Sequence, residues 1–206
     1  LSKISSIRRS ETNKQQLQIG LVTPLQFYGM DINPFAVELA KVTMTIAKKV
    51  AIDKLDLTER ELPLDTLDNN IVCQDALFTE WVKADAIIGN PPFLGSRKMR
   101  PELGEEYCDA LLKIYGNGIE GLPDLVCYWF EKANNQIKAG KTKRAGLLAT
   151  QAIRGGVNKQ VLDHIKESGD IFFAYSDKEW ILDGATVHVS MIGFDNGNDK
   201  VKELDG

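Results

Sequence analysis

The stretch Ile87-Ile88-Gly89-Asn90-Pro91-Pro92-Phe93 decides the fold of this chain. Residues 84–88 have the pattern of a buried strand, and a turn with an amide, two prolines and an aromatic ring follows. Consecutive prolines fix φ and remove two backbone donors, so the turn cannot continue the hydrogen-bonded ladder of the strand. Ligands bind at the carboxyl ends of strands in open α/β sheets. The stretch therefore predicts a site, although Asn-Pro turns also punctuate ordinary loops.

The composition is that of one globular domain with a buried core. The chain has 206 residues, 43% of them hydrophobic and 26% charged. A net charge of −4 gives no global electrostatic case for nucleic-acid binding, although a local basic patch can still matter. The 3 cysteines have no metal-ligand spacing, so we expect reduced thiols, a cytoplasmic protein and no metal site. We also expect no signal peptide and no membrane partner, because no apolar run approaches membrane-spanning length.

Strand and helix patterns alternate along the chain. Predicted strands cover residues 26–32, 71–75, 84–88, 145–150, 171–175 and 186–194, and predicted helices cover 35–52, 123–139 and 157–167. Asn33-Pro34 is typical of a helix start, and Val37, Ala40 and Met44 share one helical face. This order predicts a doubly wound α/β sheet that is mostly parallel. The last strand alternates apolar and polar residues, which predicts an antiparallel edge strand.

The connections complete a single predicted domain over residues 1–206. Residues 1–20 are predicted to be a basic arm or a helix end, and residues 196–206 a tail. Residues 94–122 carry several glycines and are predicted to be a long loop, either a lid over the substrate or plain disorder.

Three successive predicted strands end in polar residues, namely Asp31, Asp75 and Asn90. If these strands are parallel neighbours, the three side chains lie along one edge of the sheet. An acid after a strand of a Rossmann-like sheet can accept both hydrogen bonds of a ribose diol. The other interpretation is that each acid only caps a helix or a turn.

These features in this order resemble the S-adenosylmethionine-dependent DNA adenine-N6 methyltransferases of the gamma class. Asn90-Pro91-Pro92-Phe93 matches their NPPF motif, and residues 28–40 are similar to the cofactor-ribose segment of fused type II restriction–modification enzymes. The resemblance implies a Rossmann-like class I methyltransferase sheet. It also implies that Asp31 binds the cofactor ribose and Asp75 the adenine amine of the cofactor, with Ile32 and Ala76 flanking that adenine.

The resemblance also implies what this chain lacks. The family's first strand and its glycine-rich first motif have no counterpart here, and neither does its C-terminal target-recognition region. We therefore expect an N-terminally truncated catalytic domain, cut from a restriction–modification or phage-defence enzyme. Such a fragment is expected to bind cofactor poorly and to be inactive alone.

The amine chemistry of the family explains why it needs this turn. An exocyclic aromatic amine is a poor nucleophile, and acceptors such as the Asn90 side-chain oxygen and the Pro91 carbonyl can aim its lone pair. Phe93 then stacks on an adenine flipped out of double-stranded DNA. Cytosine-C5 transfer needs a cysteine nucleophile, and no cysteine follows a proline here. Cytosine-N4 transfer also activates an exocyclic amine, so it remains an alternative reaction for this chain.

Several further residues have both a functional and an ordinary interpretation. Lys143, Arg144 and Arg154 belong to a basic stretch without acids, which indicates either phosphate contacts or a solvated surface. Trp180 is a candidate second wall for the flipped base or an ordinary packing residue. Asp124 resembles a family position near the cofactor, but an acid at a helix N-terminus is the simpler account. Whole-chain alternatives are a methyltransferase for RNA or for a protein glutamine, and a non-catalytic α/β interaction domain.

Overall fold

The computed structural model describes residues 22–55, 66–116, 119–182 and 185–205. The predicted basic arm at residues 1–20 therefore lies outside the described residues. The chain divides into two compact units, Leu1–Trp81 and Val82–Gly206. The single domain over residues 1–206 stays a prediction, because two compact units can belong to one catalytic domain.

The first unit pairs two short parallel strands with one long helix. Strands β1 (Gly29–Asp31) and β2 (Ile71–Cys73) are parallel, and helix α1 (Pro34–Leu55) connects them through residues outside the described part. The helix begins where the sequence predicted, because the Asn33 side-chain oxygen accepts a hydrogen bond from the Phe35 N–H at 2.9 Å. Val37 packs with Leu67 and Ile71, and Ala40 and Met44 line the same cluster. The predicted apolar face of this helix is confirmed.

The second unit is built on a mixed sheet of five strands. The strands are β3 (Ala86–Gly89), β4 (Arg144–Thr150), β5 (Asp170–Leu182), β6 (Ala185–Asp195) and β7 (Glu203–Leu204), in the order β3-β4-β6-β5-β7. The pairs β3–β4 and β5–β7 are parallel, whereas β6 is antiparallel to both of its neighbours. The α/β class and the antiparallel direction of the last long strand are confirmed.

The predicted edge position of that antiparallel strand is wrong. Strand β6 lies between β4 and β5, with pairs such as Leu147↔Ile192 on one side and Ala174↔Ile192 on the other. Alternation of apolar and polar residues reports that one face is more buried than the other, and it does not report how many strands are paired. Strand β5 also extends beyond its predicted end at Tyr175, and β7 lies within the predicted tail.

The predicted loop over residues 94–122 is also wrong for most of its length. Residues Ser96–Leu103 form helix α2 and Glu105–Tyr115 form helix α3. Met99, Cys108 and Leu111 are completely buried, so both helices belong to the core of this unit. The glycines misled the prediction because they lie at helix ends: Gly104 has φ of 89° between the two helices.

Two more helices complete the second unit. Helix α4 (Val126–Lys138) and helix α5 (Lys159–Ser168) agree with the predictions to within a few residues. Phe130 of α4 stacks on Phe194 of β6 with ring centroids 5.8 Å apart, which fixes the helix against the sheet. Among the described residues, no helix is long and apolar enough to cross a membrane.

Candidate active site

The Asn90-Pro91-Pro92-Phe93 turn follows β3 at the carboxyl end of that strand. Pro91 is buried and Phe93 is half-buried, whereas Asn90 is exposed. Within the described residues, no side chain or backbone group hydrogen-bonds to the Asn90 amide. Its oxygen is therefore available to accept a hydrogen bond from a ligand, as the sequence predicted for an amine site.

The strand that carries the turn, β3, is held by pairing with β4. Strand β3 pairs in parallel with β4, and Gly89 lies opposite Leu147 in the last pair before Asn90. A Cβ atom at Gly89 would lie 3.2 Å from the Leu147 Cδ2 atom, so a larger residue would have to displace that side chain. Beyond the turn, the Leu94 carbonyl accepts a hydrogen bond from the Leu125 N–H at 2.9 Å. The turn is thus anchored on both sides.

The predicted cofactor acids lie together in the first unit. Strands β1 and β2 are parallel with Asp31 opposite Cys73, so Asp31 and Asp75 both lie at the carboxyl end of this pair. One Asp31 oxygen accepts from the Asn33 N–H at 2.7 Å, and one Asp75 oxygen accepts from the Leu77 N–H at 2.8 Å. Both acids therefore order a local turn, the ordinary role considered for them, and the second Asp31 oxygen also has lone pairs to offer.

Apolar side chains adjoin these acids. Ile32 is 74% exposed and directly follows Asp31, and the half-buried Ala76 directly follows Asp75. A strand-end acid beside an apolar side chain suits a nucleoside, because hydroxyl and amine groups need acceptors whereas the base needs an apolar contact. These acceptors and apolar side chains thus fit the adenosine part of S-adenosylmethionine. Since the Asn90 turn belongs to the other compact unit, the shared edge of all three polar residues stays a prediction.

The predicted phosphate contacts separate into two groups. Arg154 ends a short helical turn, Gln151–Arg154, directly after β4, and so lies at the carboxyl end of the β3–β4 pair with Asn90. Arg144 lies at the opposite end of β4, and Lys143 precedes it. Lys143 forms an ion pair with Asp85 at 2.6 Å. The expectation that Lys143 and Arg144 contact phosphates near the target is not supported by this position.

The structure describes the side chain of Arg154 but not that of Trp180. Hydrogen bonds from Ser176, together with the nearby charge of Arg154, hold the pKa of Asp205 below its ordinary value. The Arg154 guanidinium also donates to the Gln151 carbonyl at 3.4 Å, and its side chain is exposed. The backbone of Trp180 belongs to β5, but its side chain lies outside the described residues, so its role as a stacking wall stays a prediction.

Asn158 is a residue of this region that the sequence did not reveal. Its side-chain oxygen accepts from the Asp124 N–H, and its amide nitrogen donates to the Asp124 carboxylate, both at 2.8 Å. The two residues are 34 positions apart in the chain, so no local pattern connects them. Among the described residues, no cluster of His, Cys, Asp and Glu side chains could hold a metal ion.

Comparison with solved structures agrees with an α/β fold. The chain is similar to the type IIL restriction–modification enzyme MmeI, solved in complex with DNA, with a TM-score of 0.78 and 23% identity over 98% of this chain and 30% of that chain. A putative class I S-adenosylmethionine-dependent methyltransferase from Listeria monocytogenes matches at a TM-score of 0.42 and 17% identity, over 86% of this chain and 48% of that one. The second likeness is too weak to argue from.

The family of the chain follows from its sequence. The family model "MmeI, DNA-methyltransferase domain" matches residues 3–204. This chain therefore belongs to the family of MmeI DNA-methyltransferase domains, which confirms the resemblance to fused restriction–modification enzymes. DNA methyltransferase A of Bacillus subtilis (strain 168) is 28% identical over 221 aligned residues, covering 98% of this chain and 24% of that protein. The chain thus spans about a quarter of the length of this curated relative.

Proposed function

We propose that this chain is the catalytic core of a DNA methyltransferase that methylates the exocyclic N6 amine of adenine, within a larger restriction–modification enzyme. The observation that carries the proposal is the Asn90-Pro91-Pro92-Phe93 turn, which follows a sheet strand and presents an amide with no partner among the described residues. Membership of a DNA-methyltransferase family supports a DNA substrate over RNA or a protein glutamine.

The turn supplies acceptors for the substrate amine. In the ground state the amine lone pair is delocalised into the base, so the nitrogen is planar and weakly nucleophilic. If the Asn90 oxygen and the Pro91 carbonyl accept its two N–H bonds, the nitrogen becomes tetrahedral and its lone pair points away from the acceptors. Fixed acceptors also stabilise the positive charge that develops on this nitrogen, and such preorganised groups commonly contribute about 10²-fold or more to a rate.

Phe93 has the exposure that a stacking residue needs. Its ring is half-buried, so one part packs against the protein while another remains available to a flipped base. Stacking on an aromatic side chain stabilises a flipped base by roughly 1–3 kcal/mol. The ring would therefore hold the base while the turn orients its amine.

The residues proposed for the methyl donor all lie in the first unit. Asp31 would accept hydrogen bonds from the ribose hydroxyls of S-adenosylmethionine, and Asp75 from its adenine amine, with Ile32 and Ala76 in contact with the ring. When bound, S-adenosylmethionine supplies an electrophilic methyl group. No strong general base is required of the chain, because the amine nitrogen becomes positively charged when it takes the methyl group and then loses a proton to water.

Arg154 is the described cation best suited to a DNA phosphate. It is exposed and lies at the same end of the β3–β4 pair as Asn90. A phosphate contact there would fix the duplex beside the flipped base without reading its sequence. Recognition of a specific site and cleavage of DNA would then belong to other parts of the larger enzyme.

The proposal is tested by identifying the methylated atom. The natural protein that contains this chain is incubated with labelled S-adenosylmethionine and, separately, duplex DNA, RNA and protein. The DNA is then digested to nucleosides, which separates N6-methyladenine from N4-methylcytosine. Label in N6-methyladenine supports the proposal. Label in N4-methylcytosine, or only in RNA or protein, refutes it.

A further inference from the structure

A single carboxylate connects three separate segments of the second unit. One oxygen of Asp124 accepts from the Ser96 N–H at 2.8 Å, and the other accepts from the Asn158 side-chain amide at 2.8 Å. The Asn158 oxygen in turn accepts from the Asp124 N–H, also at 2.8 Å. All three hydrogen bonds are partly buried, so water competes with them less than it does at an open surface.

The first of these segments leads directly from the Asn90 turn. Ser96 lies three residues after Phe93 and is the first residue of α2. Its N–H is one of the backbone donors that a helix start leaves without an internal partner. Asp124 accepts this bond from outside the helix, and the neighbouring Leu125 N–H donates to the Leu94 carbonyl at 2.9 Å. Two hydrogen bonds thus fix the chain just beyond the turn.

The second segment follows the neighbouring strand. Asn158 lies after β4 at the end of a short helical turn, Gly156–Asn158, and its amide also donates to the Ala152 carbonyl at 3.3 Å. Strands β3 and β4 are parallel neighbours, so the segments that leave their carboxyl ends both meet Asp124. One of these segments carries Asn90 and Phe93, and the other carries Arg154.

The simpler account of Asp124 as an ordinary acid at the start of α4 does not describe its contacts. Helix α4 begins at Val126, and its N-cap residue Leu125 makes no side-chain cap hydrogen bond. The Asp124 carboxylate is directed to Ser96 and Asn158 instead. Its backbone carbonyl, not its side chain, accepts the N–H of Cys127 at 2.9 Å.

We propose that Asp124, paired with Asn158, is a positioning residue for methyl transfer. It holds the Asn90 turn and the segment carrying Arg154 in fixed relative positions at the carboxyl ends of β3 and β4. This inference rests on the proposed function, because the turn it positions is the one assigned to the substrate amine. Asp124 does not touch the reacting atoms. Its effect is to keep Asn90 and Phe93 from moving relative to the bound base.

A swap of the two side chains separates this role from simple stability. In Asp124→Asn, the amide has one acceptor oxygen for two donors, so it loses one contact whichever way it is turned. In Asn158→Asp, two carboxylates face each other. In the double variant Asp124→Asn/Asn158→Asp, the amide at position 124 donates to the carboxylate at position 158, and its oxygen still accepts from Ser96. The bond between the two side chains is thereby restored with its polarity reversed, but the carboxylate at position 158 cannot donate to the Ala152 carbonyl as the Asn158 amide does.

Gln160 offers a matched control on the same two segments. Its oxygen accepts from the Glu120 N–H at 2.8 Å, and its amide donates to the Glu120 carbonyl at 3.3 Å. This pair also joins the chain before α4 to α5, but it does not contact the segment that follows the Asn90 turn. Gln160→Ala therefore removes a reciprocal pair of hydrogen bonds, which is exposed rather than partly buried, without loosening Ser96.

The experiment measures single-turnover methyl transfer per folded active site in the natural protein, together with KM for DNA and hydrogen exchange of the Ser96 amide. We expect each single variant to lower the transfer rate by about 10- to 100-fold, with KM changed little, and to accelerate Ser96 exchange. The double variant should recover part of the rate, because the bond to the Ala152 carbonyl is not restored, and Gln160→Ala should match the wild type in both measurements.

Three outcomes overturn the inference: wild-type rates in both single variants, no recovery in the double variant, or an equal loss in Gln160→Ala. Failure of the proposed function has a different signature, since the wild type would then leave adenine unmethylated. In that case, hydrogen exchange of the Ser96 amide alone tests whether Asp124 and Asn158 form a clamp on the segment that begins at Ser96. Faster exchange in Asp124→Asn than in Gln160→Ala supports this clamp, and equal exchange refutes it.

Discussion

Truncating Leu111 to alanine tests whether the segment after the Asn90 turn is a packed part of the second unit. Leu111 of α3 is completely buried, whereas Ile114 on the same helix is 53% exposed. Removing a buried leucine costs the transfer free energy of its methyl groups and leaves a cavity, so Leu111→Ala should lower the free energy of unfolding by about 3 kcal/mol. Ile114→Ala, the matched control, should lower it by less than about 1 kcal/mol.

The two variants are compared by thermal unfolding followed by circular dichroism, with hydrogen exchange of residues 96–115 as a local measurement. For a chain of this size, a loss of about 3 kcal/mol corresponds to a decrease in Tm of roughly 6–12 °C. Exchange across α2 and α3 should accelerate in Leu111→Ala only. Equal midpoints and equal exchange in the two variants would refute the packing of these helices and restore the loop that the sequence predicted.

Three further predictions concern single side chains. Cys73 is exposed, whereas burial raises the pKa of Cys127 to about 12, so a thiol reagent near neutral pH should label Cys73 in the folded protein and Cys127 only after denaturation. Two lysine ammonium groups hold the pKa of Asp170 below its ordinary value. This stabilisation is present above about pH 4 and is lost as the pH falls further. The free energy of unfolding should therefore fall less steeply with decreasing pH in Asp170→Asn than in the wild type, as measured by denaturant unfolding between about pH 5 and pH 2. Arg154→Gln should weaken DNA binding and reduce its salt slope by about 1, whereas Lys143→Gln should bind as the wild type does.

Local sequence patterns predicted the elements that carry the candidate site. The cap at Asn33, the helical face of Val37 and the turn at Asn90 each depend on residues that are close in the chain. Such features follow from backbone restrictions and hydrophobic period, which act over a few residues. The family resemblance added roles for Asp31 and Asp75, which the structure brings to the same end of β1 and β2.

Features that depend on distant partners were predicted poorly. Glycines between residues 95 and 116 indicated a loop, although they mark the ends of two helices whose buried side chains supply the stabilising contacts. The internal position of β6 and the clamp formed by Asp124 and Asn158 join segments far apart in sequence. Neither leaves a periodic signal. The sequence also placed Lys143 and Arg154 in one basic stretch. In the structure, the two residues lie at opposite ends of β4.

The proposed mechanism depends on the acceptor role of Asn90. The most direct measurement is the single-turnover rate of methyl transfer to duplex DNA by Asn90→Ala, with the dissociation constants for DNA and S-adenosylmethionine determined in parallel. Loss of one preorganised acceptor should lower the rate by about 10² to 10³-fold while both dissociation constants change little. A rate within about fivefold of the wild type, a difference of roughly 1 kcal/mol in the barrier, would contradict the acceptor role of Asn90.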